Sequence, residues 1–104
     1  MEQSSKTLTF VVPAYNMETY LERCVESLLS ATDNSDIEVL IVDDGSSDGT
    51  PELADMYERR WPGNVRAIHQ VNKGHGGAVN TGIANATGMY VKVVDADDWV
   101  DTVS

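Results

Sequence analysis

The sequence is poor in cysteine and in basic residues, and each shortage excludes a class of protein. A single cysteine, Cys24, excludes an internal disulfide, and its place in an amphipathic helical pattern predicts a buried structural thiol. Seven basic residues against 17 acidic ones give a net charge of −10. The basic footprint of a nucleic-acid-binding protein is therefore missing, and an anionic membrane surface would repel the chain.

Long apolar runs are also missing. The first such run, residues 8–12, is too short to cross a bilayer and follows a polar start, so we expect a cytoplasmic protein with no transmembrane segment in this chain. The 104 residues, 41% of them hydrophobic, suit one small domain, and we predict a single domain over residues 1–104. A chain this acidic can still bind a phosphorylated ligand if a divalent metal supplies the positive charge.

Four apolar runs rich in β-branched residues alternate with helical patterns. The runs cover residues 8–12, 37–42, 65–70 and 90–94, and three of them are nearly continuous, as in strands covered on both faces. Helical patterns cover residues 17–31, 50–61 and 76–86. The order β-α-β-α-β-α-β predicts an α/β fold, a three-layer sandwich around a parallel sheet, with ligands at the carboxyl ends of the strands.

Two of the helices have capping signals. Thr50 has the residue type of an N-cap and Pro51 that of the first helical position, so the second helix is predicted to begin there. Asn16 follows the first strand and is predicted to cap the helix after it. Taken alone, the segment from Pro13 to Asn16 indicates an ordinary turn.

Two adjacent carboxylates, Asp43 and Asp44, follow the second strand. Burying both at a strand end costs free energy unless each finds partners. One could accept a hydrogen bond from an N–H group of a nucleotide base, while the other accepts backbone amides of its own loop. The alternative is an Asp-Gly turn followed by a helix cap, and the residues alone leave both open.

The third strand leads into a glycine-rich loop, residues 72–80, that opens a helix. Such a loop can receive a phosphate on its N–H groups, but Val79 stands where the dinucleotide-binding fingerprint needs a third glycine. Lys73 could neutralise a diphosphate or be solvated. His75 is expected at the loop surface, and His69 is expected to be structural because it lies within a strand pattern.

The fourth strand runs into a group of three carboxylates, Asp95, Asp97 and Asp98. Like charges this close raise one another's pKa unless a cation sits among them. Oxygen ligands favour Mn²⁺ or Mg²⁺, so a metal site is predicted in preference to a bare acidic turn. Lys92, inside the strand, either pairs with a carboxylate or marks an exposed part of the sheet.

Seven segments, taken in order, resemble the family 2 glycosyltransferases, which have the GT-A fold. They are residues 10–16 (FVVPAYN), 20–28 (YLERCVESL), 42–50 (VDDGSSDGT), 72–74 (NKG), 80–83 (NTGI), 86–88 (ATG) and 94–98 (VDADD). Together they cover nearly the whole chain at fitting spacings. The resemblance implies a nucleotide-diphospho-sugar donor, most often a UDP-sugar, and transfer to an acceptor hydroxyl with inversion at the sugar.

The resemblance also assigns residues to a donor site. Those that would contact the nucleotide are Pro13, Ala14, Tyr15, Asp43, Asp44, Lys73, Asn80, Asp95 and Ala96, and Asp97 would bind the metal. The first three would line the base and ribose pocket, one aspartate of the adjacent pair would read the base, and Asp95 would approach the ribose. Many relatives carry an arginine where this chain has Val79, so one positive contact is missing or is supplied by Lys73.

Three other functions fit parts of the pattern. An aspartate-based phosphatase has a similar Asp-x-Asp motif, but normally on its first strand. A receiver-type signalling module would carry its acidic pair after the first strand, whereas here the pair follows the second. A nucleotide-binding or interaction domain would retain the fold but would have no catalytic activity.

Two expectations concern a longer protein. Inverting relatives place their general base and acceptor-binding elements after the acidic motif, so we expect the catalytic base beyond Ser104. The chain is then the N-terminal donor-binding part of a longer glycosyltransferase and is inactive alone. An uncovered sheet edge at the fourth strand also predicts a homodimer.

Overall fold

The computed structural model describes residues 7–30 and 36–94, in which strands and helices alternate. The elements are β1 (Leu8–Ala14), α1 (Glu18–Ser30), β2 (Ile37–Asp44), α2 (Thr50–Arg60), β3 (Val65–Gln70), α3 (Gly74–Asn85) and β4 (Tyr90–Val93). The predicted alternation is confirmed, and each strand begins at the predicted residue. Within the described ranges, none of the helices combines the length and apolarity that a membrane crossing requires.

The sheet is parallel throughout, with strand order β3-β2-β1-β4. The chain moves from β1 to β2 on one side and later returns to β4 on the other side, so the strand order switches at β1. Ligand sites of parallel α/β sheets lie at the carboxyl ends of the strands, at such a switch. The register sets Ala14 beside Asp43 and Asp44 beside Gln70, which brings the ends of β1, β2 and β3 to one edge.

The strands β1 and β2 are buried on both faces because helices cover the sheet from two sides. On one face, Val12 belongs to a fully buried cluster with Leu21 of α1 and Tyr57 of α2. On the other face, Val11 belongs to a cluster with Ala78 of α3. Successive side chains of a strand point to opposite faces, which explains why these runs are apolar at nearly every position. The three-layer sandwich is confirmed.

The helix α3 lies close to the sheet because Gly82 has no side chain. A Cβ atom at this position would overlap the side chain of Val11 on β1. The small residues of α3 therefore set the distance between this helix and the central strand. On the opposite face of the sheet, Cys24 of α1 is fully buried, as predicted for a structural thiol.

The strand β4 differs from the prediction, because all four of its side chains are exposed. The chain turns inward only at Val94, which is buried and whose N–H donates to the carbonyl of Val11 at 2.8 Å. Among the described elements, β4 pairs with β1 alone. Cover on both faces therefore does not hold for this strand, and of the two explanations of Lys92 the exposed sheet is the one that agrees with the structure.

A buried carboxylate, Glu38, stabilises the amino-terminal edge of the sheet, opposite the strand ends. It accepts hydrogen bonds from Thr9 Oγ1 at 2.9 Å and from the N–H of Thr87 at 3.1 Å, and it pairs with Arg66 Nη1 at 2.8 Å. Burial by itself would raise the pKa of Glu38, but the hydrogen bonds from Arg66, Thr87 and Thr9 together hold it below the ordinary value. The ionised form therefore links three strands and the turn before β4.

The N-cap of α2 is not the residue that the sequence predicts. Thr50 is the first residue of α2, and the N-cap position falls on Gly49. The Thr50 hydroxyl instead accepts the N–H of Met17 at 2.9 Å, just before α1, so its predicted capping role in α2 is wrong. Pro51 does lie in the first turn of α2, as predicted.

Candidate functional site

A cleft opens at the carboxyl ends of β1 and β2, where the strand order switches. It is lined by Pro13, Ala14, Tyr15, Met17, Asp44, Asn72, Gly74, His75 and Ala78. Its walls come from the end of β1, the end of β2 and the start of α3. This is the place in the fold where a parallel α/β sheet holds its ligand.

The predicted site residues divide into three groups. Four of them line the cleft, namely Pro13, Ala14, Tyr15 and Asp44. Asp43, Lys73 and Asn80 are described but are not among the lining residues. Asp95, Ala96 and Asp97 lie outside the described residues, and so does the rest of the acidic motif.

The carboxylate of Asp44 is a buried anion on the cleft wall. Its Oδ1 accepts Gln70 Nε2 at 2.9 Å and the N–H of Lys73 at 2.8 Å, and its Oδ2 accepts the N–H of Gly74 at 3.0 Å. Burial would raise the pKa of Asp44, but these hydrogen bonds and the Lys73 charge lower it below the ordinary value. A carboxylate has about four acceptor positions, so Asp44 keeps about one for a donor in the cleft.

The same contacts change the interpretation of the glycine-rich loop. The N–H groups of Lys73 and Gly74, at the start of α3, already have an anion as partner. A side-chain carboxylate therefore occupies the helix terminus at which the glycine-rich sequence would also allow a phosphate. The loop also lies against β2, because Asn72 Nδ2 donates to the Asp44 carbonyl at 3.1 Å.

Asp43 faces the other side of the sheet, towards α2. Its Oδ1 accepts the N–H of Ser46 at 3.0 Å, and its Oδ2 lies 2.8 Å from Nδ1 of His69. Since neighbouring strand residues point to opposite faces, only one carboxylate of the pair can reach the cleft beside α3. Asp43 therefore bonds its own loop, and Asp44 is the one available to a ligand.

Glycine is required directly after the pair. Gly45 has a φ of +75°, and a Cβ atom there would lie 2.8 Å from the backbone nitrogen of Asn72. Both the left-handed conformation and the close contact exclude a side chain. The tight turn keeps Asp44 next to the loop that its carboxylate caps.

The loops after β1 and β2 cap each other. The N–H of Asn16 donates to Ser46 Oγ at 3.0 Å, and Asn16 Oδ1 accepts the N–H of Ser47 at 2.8 Å. Further bonds run from Glu18 N–H to Asp48, from Gly49 N–H to Glu18 and from Met17 N–H to Thr50. Asn16 has a φ of 53°, and its side chain caps the neighbouring loop rather than α1, contrary to the prediction.

The side chain of His69 on β3 contacts two other elements, β2 and α2. It lies opposite Asp43 in the β2–β3 register, and its Nε2 is 2.7 Å from Oδ1 of Asp55 on α2. The carboxylates of Asp55 and Asp43, in that order, raise the pKa of His69, although burial opposes them. Sequence reasoning missed this contact because nothing in the pattern of residues fixes the register between β2 and β3.

Other lining residues were also missed. Met17, Asn72, Gly74, His75 and Ala78 complete the cleft. Asn72, Gly74, His75 and Ala78 all lie within the glycine-rich loop, and Met17 directly follows the segment that ends at Asn16, so the sequence identifies the loops but does not assign these side chains to the site. Among residues 7–30 and 36–94, no group of three or more acidic, histidine or cysteine side chains is arranged to hold a metal ion.

Comparison with known proteins agrees with this geometry. The sequence model for "Glycosyl transferase family 2" matches residues 9–102. A protein of Bacillus subtilis strain 168, named as the uncharacterized glycosyltransferase EpsJ, is 44% identical over 95 residues. That match covers 91% of this chain but only 27% of EpsJ, so the chain spans about a quarter of that relative.

Two solved structures have a similar fold. One is TarS of S. aureus, residues 1–349 in complex with UDP, with a TM-score of 0.79 and 27% identity over 93% of this chain and 31% of that 1–349 chain. The other is a mannosyltransferase of Pyrobaculum calidifontis in complex with GDP-Man and Mn²⁺, with a TM-score of 0.80 and 28% identity. The match covers 89% of this chain and 28% of the mannosyltransferase. Both similarities extend over nearly all of this chain.

Proposed function

The chain belongs to glycosyl transferase family 2, and from that premise we propose that its cleft binds the nucleotide of a nucleotide-diphospho-sugar, in the first place a UDP-sugar. Its sugar is then transferred to an acceptor hydroxyl with inversion. Because the chain spans only part of its relatives, we propose that residues 1–104 are the donor-binding part of a longer glycosyltransferase. We assign the catalytic base to that longer protein.

The observation that carries this proposal is the buried, ionised Asp44 on the cleft wall. Three protein N–H groups hold its carboxylate in place, and about one acceptor position remains. A uracil base carries one N–H group on its pairing edge, which can donate to such an oxygen. The cleft also offers Pro13 and the half-exposed ring of Tyr15 as surfaces for the flat base and the ribose.

A divalent metal, Mn²⁺ or Mg²⁺, is part of the proposal. We assign Asp97 as its ligand and place Asp95 and Ala96 beside the ribose, because oxygen ligands in this acidic motif suit such ions. The similar mannosyltransferase was solved with Mn²⁺, which supports the choice. When bound, the metal stabilises negative charge on the nucleoside diphosphate as it leaves the sugar.

The remaining assignments concern positive charge and positioning. The backbone N–H of Lys73 donates to the Asp44 carboxylate, and we propose that the ammonium group of the same residue approaches the diphosphate. Asn80, in the middle of α3, is proposed to contact the nucleotide from the other side of the loop. Val79 offers no charge, so Lys73 is the basic side chain to test.

Membership of glycosyl transferase family 2 argues against a phosphatase and against a receiver-type signalling module. A nucleotide-binding domain without catalysis differs from the proposal only in turnover. Calorimetry tests the binding step and separates a nucleotide site from a phosphoryl-transfer site, with UDP, GDP and beryllium fluoride titrated separately, each with and without Mn²⁺. We expect weak UDP binding that requires metal, and no response to beryllium fluoride, which mimics a phosphoryl group.

Two variants sharpen that experiment. Asp97→Asn should remove the metal dependence, and Asp44→Asn should weaken UDP binding in the presence of metal. Glu52→Gln is the matched control, since it removes one exposed carboxylate far from the acidic motif in sequence. Binding of beryllium fluoride in preference to UDP would contradict the proposal.

Self-association is a separate proposal. Met89 and Tyr90 are 74% and 65% exposed at the start of β4, next to an edge that the described elements leave unpaired. An apolar edge strand favours pairing with a second copy. Sedimentation analysis should show a dimer that Val91→Lys disrupts, and a monomer at all concentrations would contradict it.

A further inference from the structure

The imidazole of His69 bridges two carboxylates that belong to different elements. Its Nδ1 lies 2.8 Å from Asp43 Oδ2 on β2, and its Nε2 lies 2.7 Å from Asp55 Oδ1 on α2. The side chain of Asp43 is 5% exposed, whereas those of His69 and Asp55 are 41% and 46% exposed. The ring therefore connects a buried acid to an accessible one.

The two contacts together favour one protonation state. A neutral imidazole carries a single N–H and can donate to one carboxylate only, whereas the imidazolium donates to both. The charged groups that face the ring are Asp55 from α2 and Asp43 from β2, and both raise its pKa against the effect of burial. The charged ring is therefore the form that fits this geometry.

The bridge is connected to the cleft through the turn after β2. Asp43 uses its second oxygen to accept the N–H of Ser46, so its orientation holds the first residues of that turn. Asp44 is the next residue, and its carboxylate projects to the opposite face, where it lines the cleft. Fixing Asp43 on one face of the sheet therefore helps to fix Asp44 on the other.

Resting on the proposed function, we propose that His69 is a positioning residue for donor binding. As an imidazolium it anchors Asp43 and thereby orients Asp44 towards the nucleotide base, and the affinity for the nucleotide falls when the ring loses its second proton. The direction of this pH dependence follows from the two carboxylate contacts of the ring. A group whose pKa is raised in the folded state contributes fully at low pH and loses its contribution as the pH rises through that pKa.

The cleft contains the only other histidine, His75, so the test uses a His75→Gln background in which His69 is the single imidazole. In this background we would follow the ring resonances of His69 and the amide of Ser46 by NMR from about pH 5 to about pH 9. UDP affinity would be measured by calorimetry over the same range with Mg²⁺. The second-site variants are His69→Gln and Asp55→Asn.

We expect the ring to titrate above the range of a free histidine and the Ser46 amide to follow the same midpoint. UDP affinity should fall about fivefold across that midpoint, which corresponds to the partial loss of one charge-assisted hydrogen bond. The terminal phosphate of UDP also titrates near neutral pH. The ratio of affinities to those of His69→Gln at each pH removes that contribution.

Asp55→Asn keeps the ring and the Asp43 contact and changes an accessible residue, so it is informative even if His69→Gln does not fold. It should lower the midpoint of the ring and of the affinity change together. A Ser46 amide that ignores the His69 titration, or an affinity ratio that is constant with pH, would overturn the positioning role. If UDP fails to bind at every pH while Ser46 still follows His69, the donor-binding proposal fails and the coupling of ring and turn stands.

Discussion

The carboxylate of Asp44 accepts the backbone N–H of Gly74 at 3.0 Å, across the gap between β2 and the start of α3. This bond sets a buried negative charge in the first turn of the helix, where the helix dipole stabilises it. The same carboxylate lines the cleft. One residue therefore stabilises the fold and presents an acceptor to a ligand.

Asp44→Asn should affect both properties. The amide has one acceptor oxygen instead of two, so it cannot satisfy all three N–H donors, and it loses the charge at the start of α3. We expect a loss of about 1–2 kcal/mol in the free energy of unfolding. Urea unfolding measures it. Glu52→Gln is the control, because it removes an exposed, solvent-screened charge from the first turn of α2 and should stay within about 0.5 kcal/mol of the parent. Unchanged stability of Asp44→Asn would show that the carboxylate does not cap α3.

Gly82→Ala should be destabilising although alanine is the better helix former. Its methyl group would overlap the side chain of Val11, and the packed helix cannot move away without losing contact with the sheet. We expect a loss of about 1–3 kcal/mol. Gly76→Ala in the same helix meets nothing within 4 Å and should instead be neutral or stabilising by up to about 1 kcal/mol. Equal effects of the two variants in thermal unfolding would contradict the packing described for α3.

At Asn16, the contribution of the left-handed backbone to stability can be measured separately from that of the side-chain hydrogen bond. Asn16→Gly keeps the left-handed backbone and loses only the acceptor for Ser47, whereas Asn16→Ala also introduces strain at a φ of 53°. Alanine should therefore cost about 1 kcal/mol more than glycine. In both variants, hydrogen exchange at the Ser47 amide should become faster. Protection of that amide in either variant would mean that Asn16 is not its partner.

Acid should destabilise the protein through its buried carboxylates. The pKa values of Glu38 and Asp44 are lowered in the folded state, so their contribution to stability is complete above the unfolded values and is lost as the pH falls through the folded ones. The loss should begin near the ordinary values of 4.5 for Glu38 and 3.8 for Asp44 and continue below them.

The contribution of Glu38 can be isolated with Glu38→Gln. This variant should be less stable at neutral pH, because it leaves Arg66 without its buried partner, and should lose less stability between about pH 5 and about pH 3. Urea midpoints across that range measure the difference. An acid response identical to that of the parent would show that Glu38 is not ionised in the folded protein.

Much of the fold could be predicted because its signals are local. Apolar β-branched runs separated by helical patterns determine the parallel sheet, and the motifs around Pro13 and Asp44 lie at strand ends, where such sheets bind ligands. Which aspartate of the pair faces the cleft also follows from the alternation of side chains along β2. It becomes evident only once the helix on each face is known.

The rest depends on contacts between residues distant in sequence. Thr50 and Asn16 have the residue types of local caps, yet each bonds the neighbouring loop about thirty residues away. The bridge from His69 to Asp43 requires the β2–β3 register, which no local pattern encodes. The exposure of β4 likewise reflects which elements lie beside it, and a strand's own apolar sequence cannot show that.

The nucleotide is proposed to bind in the cleft beside Asp44. Mapping the backbone amides by NMR during a titration with UDP and Mg²⁺ tests it most directly. We expect the largest shifts on Ala14, Tyr15, Gly74 and Ala78, with little change at Glu38 on the opposite edge of the sheet. Shifts that spare the cleft and gather elsewhere, or no shifts at saturating UDP, would contradict it.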